Sequence, residues 1–312
     1  MTSANWSEPA GGGPADTVGL IGLGPMGAPI AGHIADAGYR LRVWNRTRET
    51  AEQLRPHAEV ADGVERLSSR VILSALPDID HLDRLTPSSV LEQWQHDGTA
   101  RLIVLSTTSP DKVRALAARV APFDITVVDA AMSGGDAGAT AGTLSLMVGA
   151  DRETFGDLLP LLRTFATTIE NMGPLGTGAA AKLCNQLVVA GTLVSLAEAL
   201  HLARKSGLSD SQLARVLKGG LASSAVLDLK ADKLLGRTYE LGGSAVNQLK
   251  DLRYAVALGD DVGARLPLAR ESAALFEEAV NQGLGGHDHA VIQEVLEAPQ
   301  LHHTNQNRIS SP

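Results

Sequence analysis

Lys182 is the residue whose surroundings most suggest chemistry. It follows Gly176-Thr177-Gly178-Ala179-Ala180-Ala181 and leads an apolar run that continues to about Ser206. The glycines allow a tight entry, and the alanines favour helix at once. On that helix Asn185 and Gln186, three and four residues on, share the face of Lys182. The same stripe continues through Val189, Leu193, Leu196 and Leu200, and the opposite side carries Leu183, Leu187, Val194 and Ala197. A helix apolar all round is expected to be buried. Burial disfavours a charged amine, so a lysine held there could give or take a proton near neutral pH. Two amides beside it suggest the wall of a cleft. The competing reading is a lysine snorkelling from a helix start.

A second stretch could hold an anion. Val18 to Leu23 is an apolar run that ends in Gly22-Leu23-Gly24-Pro25-Met26-Gly27, and a helical pattern follows through Ile30, Ile34 and Ala37. Strand, glycine turn and helix in that order form a dinucleotide cradle. Gly22 permits the turn, Gly24 lets the backbone approach a pyrophosphate, Gly27 lets helix and strand pack closely, and the helix N-terminus faces the phosphates. A packing turn without ligand is the alternative. The next strand, Arg40–Trp44, ends in Asn45-Arg46-Thr47-Arg48, where an acidic residue would bind the ribose of NAD. Asn45 does not repel a 2′-phosphate, Arg46 or Arg48 could pair with one, and Thr47 could hydrogen-bond it. NADP(H) is therefore preferred, with NAD(H) possible; a solvated basic loop is the competing reading.

Three further strands are expected at Arg70–Leu76, Leu102–Leu105 and Ile125–Val128, ending in Leu76-Pro77, Ser106-Thr107 and Ser133-Gly134-Gly135. Ligands of open α/β sheets lie beyond the carboxyl ends of the strands, so these three ends should line one crevice. Ser133 with the N–H groups of Gly134 and Gly135 could cradle a carboxylate; a flexible glycine turn would look the same. Thr143–Val148 reads as another strand, and Phe155–Phe165 as a helix closing the domain.

After Gly178 strand signals stop. Helices are expected at Asp210–Lys218, opened by a capping box at Ser209 and Gln212, and near Ser224–Leu235, Ala245–Leu258, Leu268–Asn281 and His289–Leu296. The fold class is an α/β Rossmann-type N-terminal domain followed by an all-α C-terminal domain, joined by a long interdomain helix. Residues 17–178 form the dinucleotide-binding domain and 179–298 the helical substrate and oligomerisation domain; 1–16 and 299–312 read as flexible tails.

Composition narrows the classes. A net charge of −8 excludes a strong nucleic-acid footprint. The lone cysteine, Cys184, cannot form an intrachain disulfide and fits a reducing compartment. Met1 to Asp16 has no secretory n-region or h-region. The uncharged run Leu183–Ala197 is about fifteen residues, short for a bilayer span. A cytoplasmic protein without membrane attachment is expected. His287, His289, His302 and His303 lack companions at ligand spacing, so they read as solvated and no metal is expected.

Together the motifs resemble the β-hydroxyacid dehydrogenase family. Those that match, in order, are Gly22-Leu23-Gly24-Pro25-Met26-Gly27, Leu76-Pro77-Asp78, Ser106-Thr107, Ser133-Gly134-Gly135, Gly176-x-Gly178-x-x-x-Lys182 and Lys250-Asp251-Leu252, over roughly Val18 to Leu296. The resemblance implies that Ser133, Gly134 and Gly135 bind a substrate carboxylate, that Lys182 transfers the proton, and that Lys250 approaches the cofactor. It implies a homodimer or homotetramer acting on a small hydroxy acid or semialdehyde. Asn185-Gln186 and Gly285-Gly286-His287-Asp288-His289 look most like the tartronate semialdehyde reductases. Gln186 stands where many members have a second asparagine, Gly243 where many have an aromatic, and Ala130-Ala131-Met132 where the strand usually ends Ala-Pro-Val.

The implied chemistry is hydride transfer between nicotinamide and a short 3-hydroxy acid or semialdehyde, with Asn185 or Gln186 orienting the substrate oxygen or the ammonium. An imine reductase would share the architecture but generally lacks the lysine. A non-catalytic NADP-binding module would need neither Lys182 nor Ser133.

Overall fold

A computed structural model describes residues 17–240 and 242–298. The tails expected at 1–16 and 299–312, with His302 and His303, lie outside the described residues.

The first half alternates strand and helix. Its elements are β1 (Thr17–Ile21), α1 (Gly27–Asp36), β2 (Arg40–Trp44), α2 (Arg48–Glu52), β3 (Glu59–Val60), β4 (Val71–Ser74), α3 (Ile79–Leu85), α4 (Ser88–His96), β5 (Arg101–Val104), α5 (Pro110–Val120), β6 (Thr126–Ser133), α6 (Gly135–Ala141), β7 (Leu144–Gly149), α7 (Arg152–Leu162) and β8 (Ala166–Gly173). Among the described residues the strands form one eight-stranded sheet in the order β3-β2-β1-β4-β5-β6-β7-β8. Side chains alternate across it. Val18, Leu20, Val43, Leu73 and Ile103 bury on one face, while Ile21, Ile72, Leu102 and Val104 bury on the other. Both faces are covered, so these strands read as continuous apolar runs, as parallel strands do. Each such Leu or Ile contributes roughly 1.5–3 kcal/mol on burial.

Three features of this sheet differ from the sequence reading, the first being the two-residue β3, which was not expected. β6 pairs with β7 antiparallel, with Ser133 opposite Ser145 and Asp129 opposite Gly149. The Ser133-Gly134-Gly135 turn leads into the short helix α6, and Gly142, at φ +67°, turns the chain straight back, so no crossover intervenes. β8 was not foreseen. It lies at the sheet edge with half of its side chains in solvent, so its apolar signal is diluted, and the helix before it stops at Leu162 rather than Phe165.

Among the described residues the named elements of the second half are helices: α8 (Thr177–Lys205), α9 (Asp210–Gly219), α10 (Ala225–Gly236), α11 (Ala245–Asp261), α12 (Pro267–Asn281) and α13 (Ile292–Glu297). Ser209 accepts from the N–H of Gln212 at 3.4 Å and so opens α9 as expected, and Ser224 caps α10 through Leu227 at 3.1 Å.

By contact the chain groups into two compact units. One runs to Ala190 and takes in Asn247–Arg270; the other is Gly191–Val246 with the chain from Glu271. The sheet, the start of α8 and most of α11 therefore belong to one unit. Within the other unit, Asp288 is fully buried and paired with Lys230 at 2.8 Å, and the backbone N–H of His289 donates to Gly243 O at 2.7 Å. His289 is half-buried rather than solvated, its side chain 12% exposed, and desolvation brings its imidazole down to about 4.

Helix α8 is long and apolar enough to cross a membrane by length and composition alone. Leu183, Ala190, Leu193, Leu196, Ala197 and Leu200 are packed inside the protein. Burial all round does not hold, however: Cys184 is exposed, and Val188 and Leu202 are each 67% exposed.

Candidate active site

The dinucleotide cradle is built by backbone geometry. Gly22 sits at φ +92°, a conformation that favours glycine, and its N–H donates to Trp44 O at 2.9 Å. A Cβ on Gly27 would lie 1.9 Å from Gly22 O, so only glycine lets α1 start this close to β1. A Cβ on Gly24 would meet nothing within 4 Å. The loop is therefore closed where strand and helix pack and open where a pyrophosphate would lie. Leu23 is buried, Gly24 and Pro25 are exposed, and Met26 caps α1 without a side-chain hydrogen bond, which leaves the helix start to a ligand.

Asn45 braces that loop. Its Oδ1 accepts from the Leu23 N–H at 3.0 Å, and its Nδ2 donates to Thr47 O at 2.9 Å. The two arginines that follow part company. Arg48 is committed to Glu52 at 3.1 Å and Asp62 at 2.8 Å, whereas Arg46 is exposed and has no ion pair among the described residues. Thr47 caps α2 with its side chain unused there.

The ends of β4 and β5 are tied together. Ser106 Oγ donates to Leu76 O at 2.7 Å. Lys250, on α11, donates to Pro77 O at 3.0 Å and Thr107 O at 2.6 Å, and sits 3.2 Å from Asp251. The structure thus brings Leu76, Pro77, Thr107 and Lys250 to one edge, where the Lys250 ammonium grips backbone carbonyls.

Ser133, Asn185 and Lys182 form a hydrogen-bonded chain. Ser133 Oγ donates to Asn185 Oδ1 at 3.1 Å, and the same oxygen accepts from Lys182 Nζ at 3.2 Å. Gly134 and Gly135, at φ +128° and +63°, turn the backbone beside it, and a Cβ on Gly135 would meet nothing within 4 Å. Lys182 is only 6% exposed. Burial brings its ammonium down to about 8, with Asp251 pulling the value up and Lys250 pushing it further down. A lysine poised there populates both forms near neutral pH, as an acid–base group requires. Gln186 takes a separate position. Its Nε2 donates to Asp251 Oδ2 at 2.6 Å, so it holds a buried carboxylate whose own value burial pushes up.

Asp129 sets the start of α8, and sequence reading gave it no role. It is 1% exposed and accepts from the N–H groups of Gly176 at 2.8 Å and Ala179 at 2.7 Å. Burial pushes this carboxyl up against the pull of those donors. An acid in the middle of an otherwise apolar strand is the signal that could have found it. A cavity of about 1020 Å³ lined by Val127, Phe155 and Leu175 lies near the start of β6 and includes none of these groups.

Residues 17–173 match the profile of the NAD binding domain of 6-phosphogluconate dehydrogenase, and residues 176–296 that of the NAD-binding region of NADP-dependent 3-hydroxyisobutyrate dehydrogenase. The 2-hydroxy-3-oxopropionate reductase of Escherichia coli K12 is 30% identical over 288 residues, 91% of this chain and 98% of that protein. The chain belongs to the β-hydroxyacid dehydrogenase family. As a member of it, the protein is an oxidoreductase with an NAD(P)-binding Rossmann domain. A 3-hydroxyisobutyrate dehydrogenase of Mycobacterium tuberculosis, solved with L-serine, superimposes with a TM-score of 0.78 at 27% identity over 91% of this chain and 99% of that one. An imine reductase of Myxococcus stipitatus shares the fold at a TM-score of 0.60 and 21% identity, covering 90% of this chain and all of that one.

Proposed function

We propose that this β-hydroxyacid dehydrogenase interconverts a short 3-hydroxy acid and its semialdehyde, of the 3-hydroxyisobutyrate or 2-hydroxy-3-oxopropionate type, with NADP(H) preferred over NAD(H). The observation that carries the reading is the Ser133–Asn185–Lys182 chain, which ends on a buried amine. The cradle formed by Gly22, Leu23, Gly24, Pro25, Met26 and Gly27 holds the pyrophosphate, with Asn45, Arg46 and Thr47 at the adenosine end and Leu76, Pro77, Thr107 and Lys250 at the other. When bound, the dinucleotide supplies or accepts the hydride.

Ser133 Oγ and the N–H groups of Gly134 and Gly135 hold the substrate carboxylate. Lys182 Nζ gives its proton to the carbonyl oxygen during reduction and takes one from the hydroxyl during oxidation. Asn185 Oδ1 fixes the amine and the serine in one geometry, which lowers the cost of orientation. Gln186 acts one step back by holding Asp251. Residues 17–178 carry the cofactor. Residues 179–298 complete the substrate site and support a homodimer or homotetramer through apolar side chains such as Leu202, Val216 and Leu221, which are 67%, 70% and 109% exposed. A soluble cytoplasmic location fits the single cysteine and the acidic balance.

Arg46 carries the preference for NADP(H). Arg46→Ala is expected to weaken NADPH about tenfold, the loss of one arginine–phosphate contact, and NADH less than twofold. Titrating both dinucleotides against wild type and variant checks this; equal weakening of the two would remove the role. A panel of hydroxy acids and semialdehydes, assayed with NADPH and NADH in parallel, tests the reaction. Reduction of a cyclic imine but of no semialdehyde would favour the imine reductase reading, and binding without any turnover would favour a non-catalytic module.

A further inference from the structure

Tyr254 lies one helical turn beyond Lys250 on α11 and faces the same side. Its hydroxyl donates to Asp78 Oδ2 at 2.7 Å and accepts from Lys112 Nζ at 2.8 Å. Two ammonium groups lie near its ring, Lys112 at 5.2 Å and Lys250 at 5.7 Å from the centroid. Asp78 is placed by its own chemistry. It caps α3 through the Ile79 N–H at 2.6 Å, and it lies 3.9 Å from Lys112 and 3.8 Å from Lys250. Burial pushes Asp78 up, but the Tyr254 hydroxyl and the two ammonium groups outweigh it and keep this carboxyl below its usual range. Lys112 is further held by Asp80 at 2.6 Å.

These groups come from three separate pieces of backbone: the turn after β4, the first turn of α5 after β5, and α11. From α11, the Tyr254 hydroxyl reaches both of the others at once, Asp78 at 2.7 Å and Lys112 at 2.8 Å. Lys250 then spans the same gap to Pro77 O and Thr107 O. In the sheet order β2 and β4 flank β1 on opposite sides. A dinucleotide whose adenosine end lies beyond β2 has its nicotinamide half on the β4 and β5 side.

We propose that Tyr254, clasped by Asp78 and Lys112, is a positioning residue that fixes Lys250 against the ends of β4 and β5 and so sets affinity for the nicotinamide half of the cofactor. The inference rests on the cofactor reading given above. Tyr254 acts through Lys250 and the carbonyls it grips, not on the reacting atoms.

The test is a fluorescence titration of the full chain with NADPH and with the fragment ADP-ribose 2′-phosphate, which lacks nicotinamide. Tyr254→Phe keeps the ring and removes both hydroxyl contacts; it is expected to weaken NADPH about tenfold and the fragment less than twofold. Lys112→Met is expected to act in the same direction, and the double variant to weaken NADPH by less than the product of the two single effects, because the two groups share one of their bonds. The melting temperature without dinucleotide should stay within about 2 °C of wild type. Unchanged NADPH affinity in Tyr254→Phe would overturn the proposal, as would equal weakening of NADPH and fragment, which marks a general loosening. Wild-type protein that binds neither ligand would overturn the cofactor reading itself, a different and recognisable failure.

Discussion

Lys182→Ala is expected to lower turnover by about 10²–10⁴-fold in both directions, the usual contribution of a positioned acid–base group. Affinity for NADPH should stay within a few-fold of wild type, because the cradle residues in the turns after β1, β2 and β4 are untouched. The physical case is local. A 6% exposed amine with an Asn185 oxygen at 3.2 Å has few roles other than proton transfer or a structural ion pair. A structural role would need a carboxylate in contact, whereas Asp251 gives its oxygens to Gln186 and Lys250. Removing a buried ammonium also removes its desolvation cost, so the variant should remain folded. Steady-state kinetics with dinucleotide titration in parallel checks this. Full turnover in the variant would remove the lysine from the mechanism.

Gly178→Ala is expected to cost both stability and turnover. The added Cβ would stand 2.3 Å from Met147 O, 2.8 Å from Gly149 N and 2.9 Å from Asp129 Oδ2. The first two are backbone atoms and the third belongs to a short buried carboxylate already bonded to the Ala179 N–H, so the start of α8 must lift away from β7. Overpacking of this kind costs about 1–3 kcal/mol. Lys182 lies one turn further along the same helix, and a displacement of about 1 Å at a reacting group can cost about 10²-fold in rate. Asp129→Asn is the gentler companion, since an amide keeps one acceptor for the N–H groups of Gly176 and Ala179. Thermal melts and kcat on both variants check the pair: the alanine should lower both, and the asparagine should lower both by less. A Gly178→Ala protein with wild-type melting and turnover would mean that this contact does not place Lys182.

Much of the fold was legible because local rules agreed with the global one. β2 was bounded residue for residue, and α8 began within two residues of its forecast, since glycines and an abrupt change of pattern mark those ends. The antiparallel turn at Gly142 was hidden because a short alanine- and glycine-rich helix and a loose loop read alike. β8 was hidden by its exposed edge, and the exposed stripe at Cys184, Val188 and Leu202 by an all-apolar sequence that cannot say what covers it. In the candidate site, Lys182, Asn185 and Ser133 could be named from spacing and resemblance. That Gln186 turns instead to Asp251 could not, because two adjacent amides on one helix face are equivalent until the neighbouring helix is known. Arg46 and Arg48 were likewise equal in sequence, and only Glu52 and Asp62 separate them. Asp129, Lys112 and Tyr254 act across more than forty positions of chain, beyond any local pattern.

Proton transfer by Lys182 is tested most directly by the pH dependence of hydride transfer in wild-type protein, followed through nicotinamide absorbance under saturating conditions in both directions. Burial holds this amine at about 8, so its neutral form grows as pH rises through that value. Oxidation, which needs the neutral base, should climb with pH and level off above about 9, while reduction, which needs the ammonium, should fall across the same interval. Rates that are flat in both directions from about pH 6 to 10, or oxidation that slows as pH rises through 8, would contradict the account.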